Sequence, residues 1–143
     1  MKNFGFLFLV VFFITLSSCS QNNKIMSSET IQRQWMLKTL AGLSYDQLVK
    51  AKAQIDLSNL ETPKAFGGCN RIFFTAKREA GNSISFFNIG STKMYCEDAM
   101  KVEDELVKAL SLISKYELIA PHQIAFKDAG GKVIATAAAA DWD

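Results

Sequence analysis

The chain has 143 residues, 49% of them hydrophobic and 21% charged, and its 16 lysines and arginines against 14 aspartates and glutamates leave a net charge of +2. That length holds one globular domain and not comfortably two, and the apolar share excludes a largely disordered chain. A nearly neutral balance has no excess of cations to neutralise phosphates, which argues against a nucleic-acid partner.

The first element is a leader. Met1-Lys2-Asn3 is short and carries one positive charge, and Phe4 to Ile14 is apolar except for Gly5. Such a run suits the apolar core of a signal peptide, whereas a membrane-spanning helix needs about 20 residues. Leu16-Ser17-Ser18-Cys19 follows and resembles the bacterial lipobox, in which the cysteine thiol receives diacylglycerol and the new terminal amine an acyl chain. Residues 1–18 are therefore expected to be removed and Cys19 to be lipidated, so that the chain is held on a membrane without crossing it. The alternatives are an ordinary secretory signal, with Cys19 a chance residue, and an N-terminal membrane helix. Ser20 rather than an aspartate follows the cysteine. In enterobacterial lipoproteins that favours the outer membrane, here with the domain facing the periplasm. Residues 19–30 read as a polar tether and 31–143 as the folded domain.

Strand signals dominate the domain. Gln34 to Leu40 opens it and Ala41-Gly42 ends the strand; Gln54 to Ser58 alternates; Asn70 to Lys77 is rich in Ile, Phe and Thr. After a turn at Glu79 to Asn82, alternation resumes at Ser83 and slips phase at Phe87, as a β-bulge would cause. Ser114 to Ile119, Gln123 to Lys127 and Lys132 to Ala137 are three further strands, separated by hairpin turns at Pro121-His122 and Asp128 to Gly131. A short helix is expected from Asp46 to Ala53, where Ser44 and Gln47 have capping-box spacing. The main helix is amphipathic. Glu97-Asp98 would load its first turn, favourable at the positive end of a helix dipole. Ala99, Val102, Leu106 and Leu110 recur at helical spacing, with Glu103, Asp104, Glu105 and Lys108 on or near the wet side.

With Cys19 assigned to lipid, Cys69 and Cys96 remain. An exported protein permits a disulfide between them, and two reduced buried thiols are the alternative. No Cys-x-x-Cys motif is present and His122 is the one histidine, so neither a redox motif nor a zinc site is supported. His122 lies in a turn without a nucleophile elbow, and the carboxylates of the main helix read as its solvated face. No phosphate loop, dinucleotide fingerprint or calcium loop occurs, so no catalytic residue, metal or cofactor is assigned.

Two segments carry a family resemblance. Gly67-Gly68-Cys69-Asn70-Arg71 precedes an aromatic-rich strand, and Ser91-Thr92-Lys93-Met94-Tyr95-Cys96 precedes the acidic helix. With the opening Trp35-Met36-Leu37 strand, they resemble the META domain, also called the HslJ family, over Gln34 to Ala137. The resemblance implies an α+β, mostly β fold: a curved antiparallel sheet or partly open lipocalin-like barrel with one main amphipathic helix packed on it. The helical reading of Ser44 to Ala53 departs from the loop expected there. The resemblance also implies an envelope protein induced by stress, with no established catalysis. Its motif residues Gly67, Gly68, Asn70, Arg71, Thr92 and Met94 are then structural or binding. Two expectations follow from the residues. Asn70 should cap a turn by bonding nearby amides, and Arg71 should pair with Glu103 or Glu105. The function expected is a role in envelope stress tolerance through binding or structural support, with an unknown protein or small ligand as partner. The alternative is a carrier of a small apolar ligand, which fails if Phe66, Phe73, Phe74, Phe86, Phe87 and Phe126 fill the interior.

Overall fold

A computed structural model describes residues 30–141. Residues 1–18, the lipidation site Cys19 and the tether up to residue 29 lie outside the described residues.

Eight strands form one antiparallel sheet in the order β5-β4-β3-β2-β1-β8-β7-β6. They are β1 (Gln34–Leu40), β2 (Gln54–Asp56), β3 (Lys64–Phe66), β4 (Arg71–Arg78), β5 (Ile84–Ser91), β6 (Lys115–Ala120), β7 (Gln123–Lys127) and β8 (Val133–Ala139). Helix α1 (Tyr45–Lys50) lies between β1 and β2, and α2 (Met100–Leu112) between β5 and β6. The sheet curls until its two edges meet: Ile84 N–H donates to Ser114 O at 3.1 Å and Tyr116 N–H to Asn82 O at 2.9 Å. The result is a partly open barrel of mostly β structure, as expected.

Alternation decides what goes inside. Trp35, Leu37, Ile72, Phe74, Ile84, Phe86, Ile124 and Phe126 point inward and are buried, and α2 lays Val102, Leu106, Ala109 and Leu110 on them. The same period turns the neighbouring residues outward. Of the six phenylalanines whose filling of the interior would tell against a carrier, Phe73 and Phe87 are 48% and 43% exposed on the outer face, and Phe66 is only partly buried. The phase slip in β5 is real. Phe73 pairs with Gly90 and Thr75 with Phe87, which leaves one extra residue in β5, and Asn88 there has φ 54°.

Three expectations change. β3 gave no sequence signal, because three residues after Pro63 are too few for a period to register. Helix α2 starts later than the acidic pair suggested; Glu97 and Asp98 sit in a turn before it, and Glu103 is the acid in its first turn. Glu103 is also not on the wet side, being 4% exposed. The short helix does form, with Ser44 and Gln47 in a reciprocal capping box.

Because neighbouring strands alternate in direction, the connections separate to two ends. One end gathers α1, the turn between β3 and β4, and the loop from β5 into α2. The other gathers the N-terminal segment, the β2–β3, β4–β5 and β6–β7 connections, and the end of β8. There Arg33 lies 2.7 Å from His122 Nδ1 in the β6–β7 turn and 3.9 Å from Asp141.

Asp56, ending β2, takes the Ser58 N–H at 3.0 Å and pairs with Lys64 at 3.4 Å. Partial burial pushes its carboxyl up, but the bonds from Ser58 and the charge of Lys64 outweigh it and hold the pKa below the ordinary value. The ionised form therefore favours the fold above the unfolded-state pKa, and this contribution disappears as pH falls through the lowered folded-state value. Asp56→Asn is expected to destabilise by about 1 kcal/mol at neutral pH and to be nearly neutral in strong acid. Urea unfolding at the two pH values checks the difference.

Candidate functional site

The motif residues meet at the end of the barrel opposite the N-terminal segment. The β3–β4 turn passes beneath the start of α2, and its two glycines have separate reasons. A Cβ on Gly67 would stand 2.9 Å from Glu103 Cα, too close for any side chain. Gly68 has φ 108° and would place a Cβ 3.0 Å from Ala99 Cβ and 3.1 Å from Ala51 Cβ, between the two helices. Cys69 and Cys96 then form a disulfide with a Cα–Cα distance of 5.9 Å, so the oxidised alternative holds.

Asn70, 2% exposed, is the centre of the arrangement. Its Oδ1 accepts from Thr92 Oγ1 and from the Met94 N–H, both at 2.7 Å, and its Nδ2 donates to Met94 O at 2.9 Å. The side-chain amide thus pairs with the Met94 backbone as a neighbouring strand would. Its own N–H donates to Glu103 Oε2 at 2.8 Å, which ties the turn to α2. Thr92 is fastened twice more, its N–H to Arg71 O at 3.1 Å and its Oγ1 to the Arg71 N–H at 3.2 Å. Asn70 therefore braces a distant loop rather than capping nearby amides.

Arg71 does not pair with a helix carboxylate. Glu103 takes the Asn70 amide, Glu105 pairs with Lys108 at 2.7 Å, and Arg71 stands on the exposed outer face of β4. Alternation explains this, since Ile72 must point inward and Arg71 outward.

What the lock presents is the loop itself. Met94 is 58% and Tyr95 81% exposed, although the Met94 backbone is held on both its N–H and its C=O. Between this loop and α2 lies a cleft of about 560 Å³ lined by Asn70, Ser91 to Tyr95, Met100, Glu103, Asp104, Val107 and Lys108. A second cleft, of about 700 Å³, separates α1 from Cys96 to Ala99 and is spanned by the Lys50–Asp98 pair at 3.0 Å. Lys108 lines the first cleft but is committed elsewhere: its hydrogen bond to Glu105, then the charge of Glu105, raise its pKa above the ordinary lysine value.

Sequence reasoning missed Glu103 and Tyr95 as site residues. A signal for Glu103 was available, because it stands four residues after Ala99 and three before Leu106, on the apolar face of the helix. Among the described residues no three His, Cys, Asp or Glu side chains gather to hold a metal.

A family model described as the META domain matches residues 28–141. A search of curated proteins finds no match. Among solved structures, the NMR structure of a protein from Burkholderia xenovorans is similar, with a TM-score of 0.56 and 21% identity over 76% of this chain and 83% of the other. At that identity the likeness concerns the fold.

Stability should track the lock. Asn70→Ala removes the side-chain partner of both polar groups of the Met94 backbone and the acceptor of the Thr92 O–H, and is expected to cost about 2–4 kcal/mol. Thr92→Val is expected to cost only about 1 kcal/mol. Reducing the disulfide, with its sequence separation of 27, is expected to cost about 3.5 kcal/mol in the chain-entropy account. Urea denaturation of each form checks the order; equal effects of the two substitutions would contradict it.

Proposed function

The chain belongs to the META domain family, and from this membership and the leader sequence we propose that it is a lipid-anchored protein of the bacterial cell envelope. In this reading Cys19 carries the lipid, the domain stands off the outer membrane in the periplasm, and it contributes to envelope stress tolerance by binding or structural support rather than by catalysis.

One observation carries the proposal: the described chain begins at one end of the barrel and the motif lies at the other. A domain moored through residues 19–30 would turn the Met94–Tyr95 loop and its clefts away from the bilayer, toward whatever it binds. The polar groups of the motif already bond one another and the backbone, which suits a rigid platform. The carrier reading finds less support. A carrier needs an apolar cavity of roughly 300–1,000 Å³, and the barrel interior is occupied by Trp35, Phe74, Phe86, Leu106, Leu110 and Phe126.

Intact mass of protein purified from membranes is expected to show loss of residues 1–18 and the added mass of a diacylglyceryl group and an amide-linked acyl chain. Cys19→Ala should abolish that mass and the cleavage that depends on lipidation, and should not restore growth to a heat-stressed or permeabilised strain lacking the gene. A non-acylated mature protein, or full rescue by Cys19→Ala, would overturn the proposal.

A further inference from the structure

We propose that the cleft between the Ser91–Tyr95 loop and α2 binds an organic cation, a guanidinium or ammonium group carried on an apolar stem. The inference rests on the binding reading above and names the ligand class for it.

Glu103 carries the argument. The residue is 4% exposed, the one hydrogen bond on its carboxylate is the Asn70 N–H on Oε2, and among the described residues no lysine or arginine pairs with it. Among the same residues Ser114 Oγ is the one fully buried side-chain polar atom left without a partner. Oε1, which has no hydrogen bond to the protein, is therefore not sealed in, and Glu103 is one of the residues that line the cleft. A carboxylate withdrawn from water is costly unless a cation or several donors compensate it. The first turn of α2 and one amide supply only part of that.

The rest of the cleft selects among cations. Asp104 adds a second carboxylate at its wall, and Lys108 is neutralised by Glu105. Met94, Met100 and Val107 offer apolar surface for a methylene stem, and the exposed Tyr95 ring offers a face to the charge. A hard metal ion fits less well. Adjacent residues on a helix do not face each other, so Glu103 and Asp104 do not converge on one point, and such ions want six or more oxygens. An anion would meet two carboxylates, and a neutral apolar molecule would leave Glu103 uncompensated.

Titrating the ¹⁵N-labelled full chain in detergent micelles tests this, with four probes: N-acetyl-arginine amide, a capped Ala-Ala-Arg-Ala-Ala peptide, N-acetyl-norleucine amide and calcium chloride. The arginine probes are expected to shift the Asn70, Met94 and Tyr95 amides saturably, with dissociation constants of about 1 mM or tighter. Norleucine amide and calcium should not. Glu103→Gln keeps an oxygen for the Asn70 N–H but loses the charge, and should weaken binding about tenfold. Tyr95→Ala should weaken it about threefold, with no loss of fold because that side chain is 81% exposed. Comparable binding of amide and peptide identifies a small cation as sufficient; much tighter peptide binding identifies an arginine or lysine on a partner protein. Either outcome supports the shared chemistry. The proposal is overturned if the arginine probes give no saturable shift, if norleucine amide binds as well, if calcium alone binds, or if Glu103→Gln and Tyr95→Ala both bind like the parent. Mass spectrometry of the same preparation reads acylation of Cys19 separately, so failure of the anchor and failure of the site are distinguishable.

Discussion

One buried amide organises the end of this barrel that carries the Gly67–Arg71 turn. Asn70 joins three parts of the chain through hydrogen bonds: the β3–β4 turn, the loop after β5, and the first turn of α2. A loop at a barrel rim ordinarily leaves its backbone groups to water. Here the Met94 N–H and C=O pair with a side chain that imitates a strand, so the loop is fixed while its own side chains stay in solvent. Gly67 follows from the same constraint, since Glu103 reaches the Asn70 amide only if nothing at position 67 separates the turn from α2. The disulfide acts one residue before Asn70 and two residues beyond Met94, bracketing the amide with a covalent clamp.

The barrel gives that lock somewhere to stand. Its edges meet near Ser83 and Lys115, while α2 covers the region where β5 and β6 diverge and fills the interior with Leu106 and Leu110. Placing α2 is thus both a packing event and a site-building event, because the helix that completes the core also carries Glu103 to the cleft. A buried carboxylate without a cation is a poor choice for stability alone. Its presence on an otherwise apolar face makes sense if the cleft is built to receive positive charge.

Much of this was legible beforehand, for physical reasons. Seven strands announce themselves through alternation, α1 through the Ser44 and Gln47 spacing, and the cysteine pair through the compartment that the leader implies. The failures are equally instructive. β3 is shorter than the period that would reveal it. Phe73 and Phe87 look like core residues by type, but their neighbours Phe74 and Phe86 take the inward positions, and one sheet face cannot hold both. Glu103 looks like a surface acid by type, although its spacing from Ala99 and Leu106 places it inward. In each case position along the period outweighs residue chemistry. The Arg71 pairing failed because closeness in sequence to a motif says nothing about which face of a strand a residue occupies.

The chain belongs to the META family, and the geometry explains the turn and loop as a support for the exposed Met94 and Tyr95 side chains. The claim beneath this account is that the Asn70 side chain, more than the disulfide, holds the Met94 backbone. Amide hydrogen exchange at Met94 tests it most directly. The account predicts strong protection of this N–H despite the exposed side chain, largely retained after reduction of the disulfide and lost in Asn70→Ala. Fast exchange in the native protein, or protection unchanged by Asn70→Ala, would contradict it.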